Sequence, residues 1–191
     1  MPQSRRYKKK KSAGKAILAW IIVLAILAAA VFVFVSVFYE DAKKKLDEMN
    51  YPRTYSTYVE KAAKDYDLDP ALIYAVIHTE SGFDPKAESG VGAKGVMQMM
   101  PSSFEWLQEQ RGCAGQYTED DLFDPEICID YGSYLLKYFY DYYGTERSTI
   151  AAYNAGFVVS DWLNDTNYSS DGKNLDSIPY PETENYVDKV E

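Results

Sequence analysis

The chain has 191 residues, 47% apolar and 15% aromatic, which suits one ordinary domain and excludes both a disordered chain and two domains with linkers. A single histidine, His78, excludes an HExxH zinc motif, and two cysteines cannot hold a four-thiolate metal site. No GxxxxGK[ST] or GxGxxG run is present, so neither a metal nor a nucleotide cofactor is expected.

The formal charge of −9 is unevenly distributed. Residues 1–15 carry seven basic side chains (Arg5, Arg6, Lys8, Lys9, Lys10, Lys11, Lys15) and no acid. The rest keeps 13 basic residues against all 29 acidic ones, a balance of −16. Such a body repels a phosphate backbone, so nucleic acid is not an expected partner.

Residues 16–39 contain no charged side chain. As a helix they span roughly 36 Å, enough for a hydrocarbon core of about 30 Å. The basic cluster before them predicts a cytoplasmic N-terminus and an extracytoplasmic remainder, with Trp20 and Tyr39 near the two interfaces. A cleaved signal peptide is the alternative, since Ala28-Ala29-Ala30 resembles a cleavage site. The apolar run continues nine residues beyond it, to Tyr39, which favours a single-pass anchor. The organisation read from this is a basic head (1–15), a transmembrane helix (16–39), a polar stalk (40–52) and a globular domain (53–191).

The globular part reads as mainly helical. Thr57 and Glu60 fit a capping box opening a helix that runs to about Asp65. Asp69-Pro70 predicts a helix stopped by Gly82, and Asp124-Pro125 predicts a long one stopped by Gly144. Ser102 and Glu105 suggest a further capping box. Shorter helices are expected over about 148–155 and 158–163. The stretch from Gly82 to Pro101, rich in Gly, Ser and Lys, is expected to be a loop or small hairpin. Tyr131, Tyr134, Tyr138 and Tyr142 recur with Leu135 at helical spacing and read as a packing stripe.

On the helix from Pro70, Ile73, Val76 and Ile77 define an apolar stripe at 100° per residue, and Glu80 falls on that face. Partial burial raises a carboxyl pKa, and the negative end of the helix dipole raises it further. Both effects favour a protonated Glu near neutral pH, as a general acid requires.

The residues around Glu80 carry a resemblance. Glu80-Ser81-Gly82-Phe83 matches an ES-x-F segment, and Ser89 through Pro101 reads SGVGAKGVMQMMP, close to S-x-x-G-A-x-G-L-M-Q-x-M-P. Ala152-Tyr153-Asn154-Ala155-Gly156 follows, then Ile178-Pro179-Tyr180-Pro181-Glu182-Thr183 and Tyr186-Val187. This ordered set, spanning essentially all of 56–190, resembles the catalytic domain of soluble lytic transglycosylases, which cleave peptidoglycan and have a goose-lysozyme-like fold. The resemblance implies Glu80 as the single catalytic acid and base. It places Ser89 and Gln98 along the sugar subsites with Met97 packed beside them. Tyr153 would hydrogen-bond near the reacting carboxyl, Asn154 would hold the cleft wall, and Glu182 and Tyr186 would close the far side. The implied partner is the glycan strand of peptidoglycan, cleaved between MurNAc and GlcNAc to leave a 1,6-anhydro-MurNAc end. A lysozyme-type hydrolase would need a second acid such as Asp84, Asp120 or Asp121. A non-catalytic wall-binding module, or an anchor for a cell-envelope complex, is the other alternative. Many relatives have Pro and a later Arg after AYNAG, where this chain has Phe157-Val158-Val159-Ser160, and Arg after ET, where it has Glu184.

Cys113 and Cys128 both fall in the extracytoplasmic part. A disulfide between them would close a loop of about 15 residues, worth about 3 kcal/mol in the chain-entropy account. Two packed free thiols are the alternative.

Overall fold

The computed structural model describes residues 5–50 and 54–191, with side chains for 16–39 and 54–191. The chain divides into two compact units, Met1–Pro52 and Arg53–Glu191.

In the first unit α1 (Arg5–Asn50) is one continuous helix. Its segment Ala16–Tyr39 is long and apolar enough to cross a membrane, and none of its most apolar window is covered by protein, as a core helix would be. The lone polar interruption, Ser36, turns its hydroxyl back onto the Phe32 carbonyl at 2.9 Å, which satisfies it within the helix. The stalk expected over 40–52 is helical to Asn50. Its last two residues, and the first four of the basic head, lie outside the described residues.

The second unit is helical, as its punctuation predicts. It comprises α2 (Ser56–Tyr66), α3 (Pro70–Ser81), α4 (Pro101–Gln110), α5 (Pro125–Tyr143), α6 (Glu146–Ala155), α7 (Val159–Asn164) and α8 (Pro181–Val190), with short 3-10 turns at Glu119–Phe123 and Gly156–Val158. Both Asp-Pro starts are as expected. The Asp69 carboxylate accepts the Ala71 N–H at 2.8 Å, and Asp124 accepts that of Glu126 at 2.8 Å. Gly82 and Gly144 end α3 and α5 in the left-handed conformation, open to glycine without strain.

Two expected capping boxes do not form. α2 is preceded by Tyr55 in the left-handed conformation with no side-chain cap, so Thr57 lies inside the helix. Tyr55 is held there by a tertiary contact, its hydroxyl donating to the Phe83 carbonyl at 3.3 Å. α4 opens at Pro101, one residue before Ser102, because proline at the first position lacks the N–H that a cap would satisfy.

α5 is the axis of the unit, packing against α2, α4 and α6, while α8 closes over α3 and α6. Its buried face includes Cys128, Ile129, Tyr131, Gly132, Leu135, Leu136 and Phe139. The tyrosine stripe is therefore core at one end only: Tyr131 is buried, Tyr134 and Tyr138 are half-buried, and Tyr142 is exposed. The segment between Gly82 and Pro101 lies across α5 as a compact loop tied by isolated antiparallel bridges, Glu88 to Lys94 and Lys94 to Met99. It fits because two glycines make room. A Cβ on Gly132 would lie 2.5 Å from Met97 Sδ, and one on Gly95 would lie 2.0 Å from the Leu122 carbonyl oxygen. Gly95 also has φ +74°, which disfavours any side chain. Gly95→Ala is expected to destabilise the unit by about 3 kcal/mol, the overpacking and backbone costs together, measured as a fall in urea midpoint. An unchanged midpoint would contradict this packing.

The expected disulfide is not present: Cys113 and Cys128 are both free. Each thiol has a different partner. The Cys113 sulfur lies 3.3 Å from the Tyr131 hydroxyl. Cys128, fully buried, accepts the Met97 N–H at 3.4 Å, and burial pushes its thiol up to about 12. Cys128 is thus a small core residue beneath the 82–101 loop.

Candidate active site

Glu80 occupies the last turn of α3, one residue before that helix ends. The buried residues Leu72, Ile73, Val76 and Ile77 set which face of α3 turns inward, and Glu80 follows them as a half-buried carboxyl. Burial pushes its pKa up to about 7. A hydrogen bond from the Tyr186 hydroxyl to Glu80 Oε1, 2.7 Å long, opposes the rise by stabilising the anion. No second carboxylate contributes to the shift. Glu80 and Tyr186 are 106 residues apart in the chain, and the packing of α8 on α3 brings them together. Among the described residues this is the buried acid poised to exchange a proton near neutrality.

Tyr186 is itself buried, and its phenol pKa is raised by burial and by the nearby Glu80 charge. Tyr153, expected to bond near the reacting carboxyl, bonds beside it rather than to it. Its hydroxyl donates to the Met97 carbonyl at 2.8 Å, pinning the end of α6 to the 82–101 loop. It still lies close enough to Glu80 for that charge to raise its pKa, after the larger effect of burial. The Tyr153 hydroxyl thus bonds beside the carboxyl, at the loop, while the Tyr186 hydroxyl bonds the carboxyl itself.

The loop residues divide. Ser89 is half-buried, and its hydroxyl accepts the Ala93 N–H at 2.9 Å, which leaves its own proton to donate. Gln98 donates its amide NH2 to the Ala87 and Gly95 carbonyls, at 3.1 and 3.0 Å, which leaves its side-chain oxygen as an acceptor. Its φ of 46° is unusual for a non-glycine residue, a conformation imposed by this tight turn. Met97 packs beside these loop residues as expected but is no substrate-binding residue itself. Fully buried against Gly132, its side chain supports the loop from beneath and presents no surface to a sugar. Asn154 is exposed at the end of α6 and accepts a 2.8 Å hydrogen bond from Thr183, on the first turn of α8. Glu182 is exposed on the same turn, one helical turn before Tyr186.

Two supporting residues have no place in the sequence reading. Ser81 donates to the Val96 carbonyl at 2.8 Å, clamping the residue after Glu80 to the loop. Thr183, buried, holds Asn154. Ser81 sits inside the ES-x-F segment, so its position was available as a signal, but its contact was not. The acids considered for activating water make local contacts of their own. Asp120 pairs with Lys94 at 3.1 Å, Asp121 caps the turn from Thr118, and Asp84 accepts the Lys86 N–H at 2.9 Å.

The family profile described as "Transglycosylase SLT domain" matches residues 57–175. The chain belongs to the SLT transglycosylase family. It is 32% identical over 146 residues to the soluble lytic murein transglycosylase of Escherichia coli K12, which covers 75% of this chain and 23% of that protein. The membrane-bound lytic murein transglycosylase C of Actinobacillus succinogenes is 37% identical over 113 residues, covering 54% of this chain and 32% of that one. Among solved structures, an inactive Glu-to-Gln mutant of lytic transglycosylase Slt from Pseudomonas aeruginosa superimposes with a TM-score of 0.65 at 30% identity, over 75% of this chain and 24% of that one. The chain thus spans about a quarter to a third of the length of these relatives.

In this SLT domain the Tyr186 hydroxyl is the group that sets how far the Glu80 pKa rises. Tyr186→Phe removes a bond that favours the anion, so the Glu80 pKa is expected to move up. The alkaline limb of the pH–activity profile should shift to higher pH while the maximal rate falls. A limb that moves to lower pH would show that Tyr186 acts on Glu80 in the opposite sense.

Proposed function

We propose that the chain is a membrane-anchored lytic transglycosylase acting on peptidoglycan, with Glu80 as general acid and then general base. The observation that carries this reading is a half-buried carboxyl with a pKa raised to about 7, bonded to one tyrosine, with no second carboxylate among the described residues contributing to the shift. Glycosidases that hydrolyse through paired carboxylates need two of them flanking the bond. One suffices when the substrate supplies the nucleophile.

Protonated Glu80 donates its proton to the glycosidic oxygen between MurNAc and GlcNAc, and the bond from C1 to that oxygen breaks. The N-acetyl group assists departure. The C6 hydroxyl oxygen of the same MurNAc then attacks C1, and the Glu80 carboxylate takes the hydroxyl proton. The product is a 1,6-anhydro-MurNAc end, no water is consumed and Glu80 is restored. Intramolecular attack gains from proximity, which offsets the missing second carboxylate. Ser89 and Gln98 offer a donor and an acceptor along the loop, and Asn154 offers its amide on the α6 side. Anchoring by 16–39, with the basic head in the cytoplasm, would place the SLT domain outside the membrane, where this substrate lies.

The test is mass spectrometry of purified peptidoglycan digested by the detergent-solubilised chain. Muropeptides lighter by one water than reducing ones are the expected product. Reducing ends would instead make the protein a hydrolase. Intact glycan that still binds the protein would leave only a wall-binding module.

A further inference from the structure

A cluster of aromatic rings lies beyond the site on the surface of the globular unit. Phe157 is the one exposed Phe among that unit's described residues, 48% accessible. Its ring meets Trp106 at 6.3 Å, Tyr138 at 6.1 Å, Phe139 at 5.4 Å and Tyr142 at 5.9 Å, with interplanar angles from 70° to 88°. Trp106 and Tyr138 meet edge-on at 5.0 Å, and Tyr142 is 58% exposed. These near-perpendicular contacts fix the orientation of Phe157 while about half of it faces solvent. A rigid exposed ring has little motion to lose when a flat apolar face packs on it.

The position of the cluster identifies what packs there. Phe157 follows Asn154 by three residues, so their Cα atoms are at most about 11 Å apart. Asn154 is bonded to Thr183, three residues before the Tyr186 that holds Glu80. Trp106 stands on α4, which opens three residues after Gln98. The cluster therefore brings together residues that follow Gln98 and Asn154 closely in the chain, Trp106 by eight residues and Phe157 by three. Charge is compatible with this: residues 54–191 carry 25 acidic and 9 basic side chains, which disfavours an anionic lipid surface and does not oppose a neutral ligand. Phe157 is also a departure from the family pattern, which often has Pro there, so the ring is a property of this chain.

We infer that Phe157, flanked by Tyr142 and Trp106, is an outer stacking site for a neutral N-acetylhexosamine ring of the glycan strand whose reacting bond lies at Glu80. The inference rests on the glycan-cleaving reading proposed above.

The test compares the full chain in detergent with its Phe157→Leu variant on peptidoglycan glycan strands sorted by length. Leucine keeps apolar volume in the cluster but removes the flat ring. The ratio of kcat/KM on long strands to that on tetrasaccharides is expected to fall about tenfold, or about 1.4 kcal/mol, carried by KM, in a variant that remains folded. Should Phe157→Leu fold poorly, Tyr142→Ser at the exposed edge is expected to lower the same ratio. An unchanged ratio in a folded variant overturns the stacking site, as does a loss of binding to zwitterionic lipid vesicles with no effect of strand length. Wild-type protein that cleaves no glycan of any length sinks the underlying reading instead. In that event, binding of long strands to the uncleaving protein, compared with and without Phe157→Leu, decides the stacking site separately.

Discussion

Glu80→Gln is expected to lower peptidoglycan cleavage by about 10³-fold or more, because in the proposed mechanism one carboxyl serves both proton transfers and each is worth about 10²–10⁴-fold. Glutamine has the same shape and can accept the Tyr186 hydroxyl, so the 2.7 Å contact between α8 and α3 has a replacement partner. It cannot release a proton to the glycosidic oxygen. Single-turnover release of muropeptides is the measurement, paired with sedimentation on sacculi, which should show binding retained. Retention of a tenth of the activity would remove Glu80 from the chemistry. The wild-type profile supplies an independent check. Since the first step needs the acid form, kcat/KM should fall as pH rises through about 7, the pKa that burial imposes on Glu80.

The helices of this domain were legible wherever a local rule decides them. Asp69-Pro70 with Gly82, and Asp124-Pro125 with Gly144, bound α3 and α5 by backbone chemistry that needs no tertiary partner. The burial of Glu80 was legible too, because periodicity on one helix fixes which positions face inward. Which tyrosine hydroxyl, that of Tyr153 or Tyr186, bonds Glu80 directly was not. Both lie far from Glu80 in the chain, and only the packing of α8 on α3 and α6 decides which hydroxyl arrives. α8 had its own signal, since Thr183, Tyr186, Val187 and Val190 are its buried residues at helical spacing, but Pro181 and three acids in ten residues obscured it. The capping boxes failed where something stronger decided the boundary: a tertiary contact at Tyr55 and a proline at 101. The free thiols illustrate the same limit. A short separation permits a disulfide but does not orient two side chains, and Cys128 points into the core beneath Gly95 and Met97.

At pH 8, the variant that loses activity is expected to be the more stable protein. Folding raises the Glu80 pKa from 4.5 to about 7, so the folded state holds a proton that the unfolded state has already released. The stabilisation from that proton is complete below about pH 4.5 and is lost as pH rises through about 7. Glutamine is neutral throughout and has no such loss. At about 1.4 kcal/mol per pH unit the full effect is about 3 kcal/mol, and about 2 kcal/mol after allowing for partial solvent exposure. Urea unfolding of the compact unit Arg53–Glu191 should therefore show wild type and Glu80→Gln nearly equal at pH 4, with the variant ahead at pH 8. A difference that stays constant with pH would mean that Glu80 is solvated and its burial has no electrostatic consequence. The predicted divergence has a direct reading for function. The burial that raises the Glu80 pKa destabilises the fold once the carboxylate forms, and the Tyr186 hydroxyl limits that cost by stabilising the anion, which in the proposed mechanism must next accept a proton.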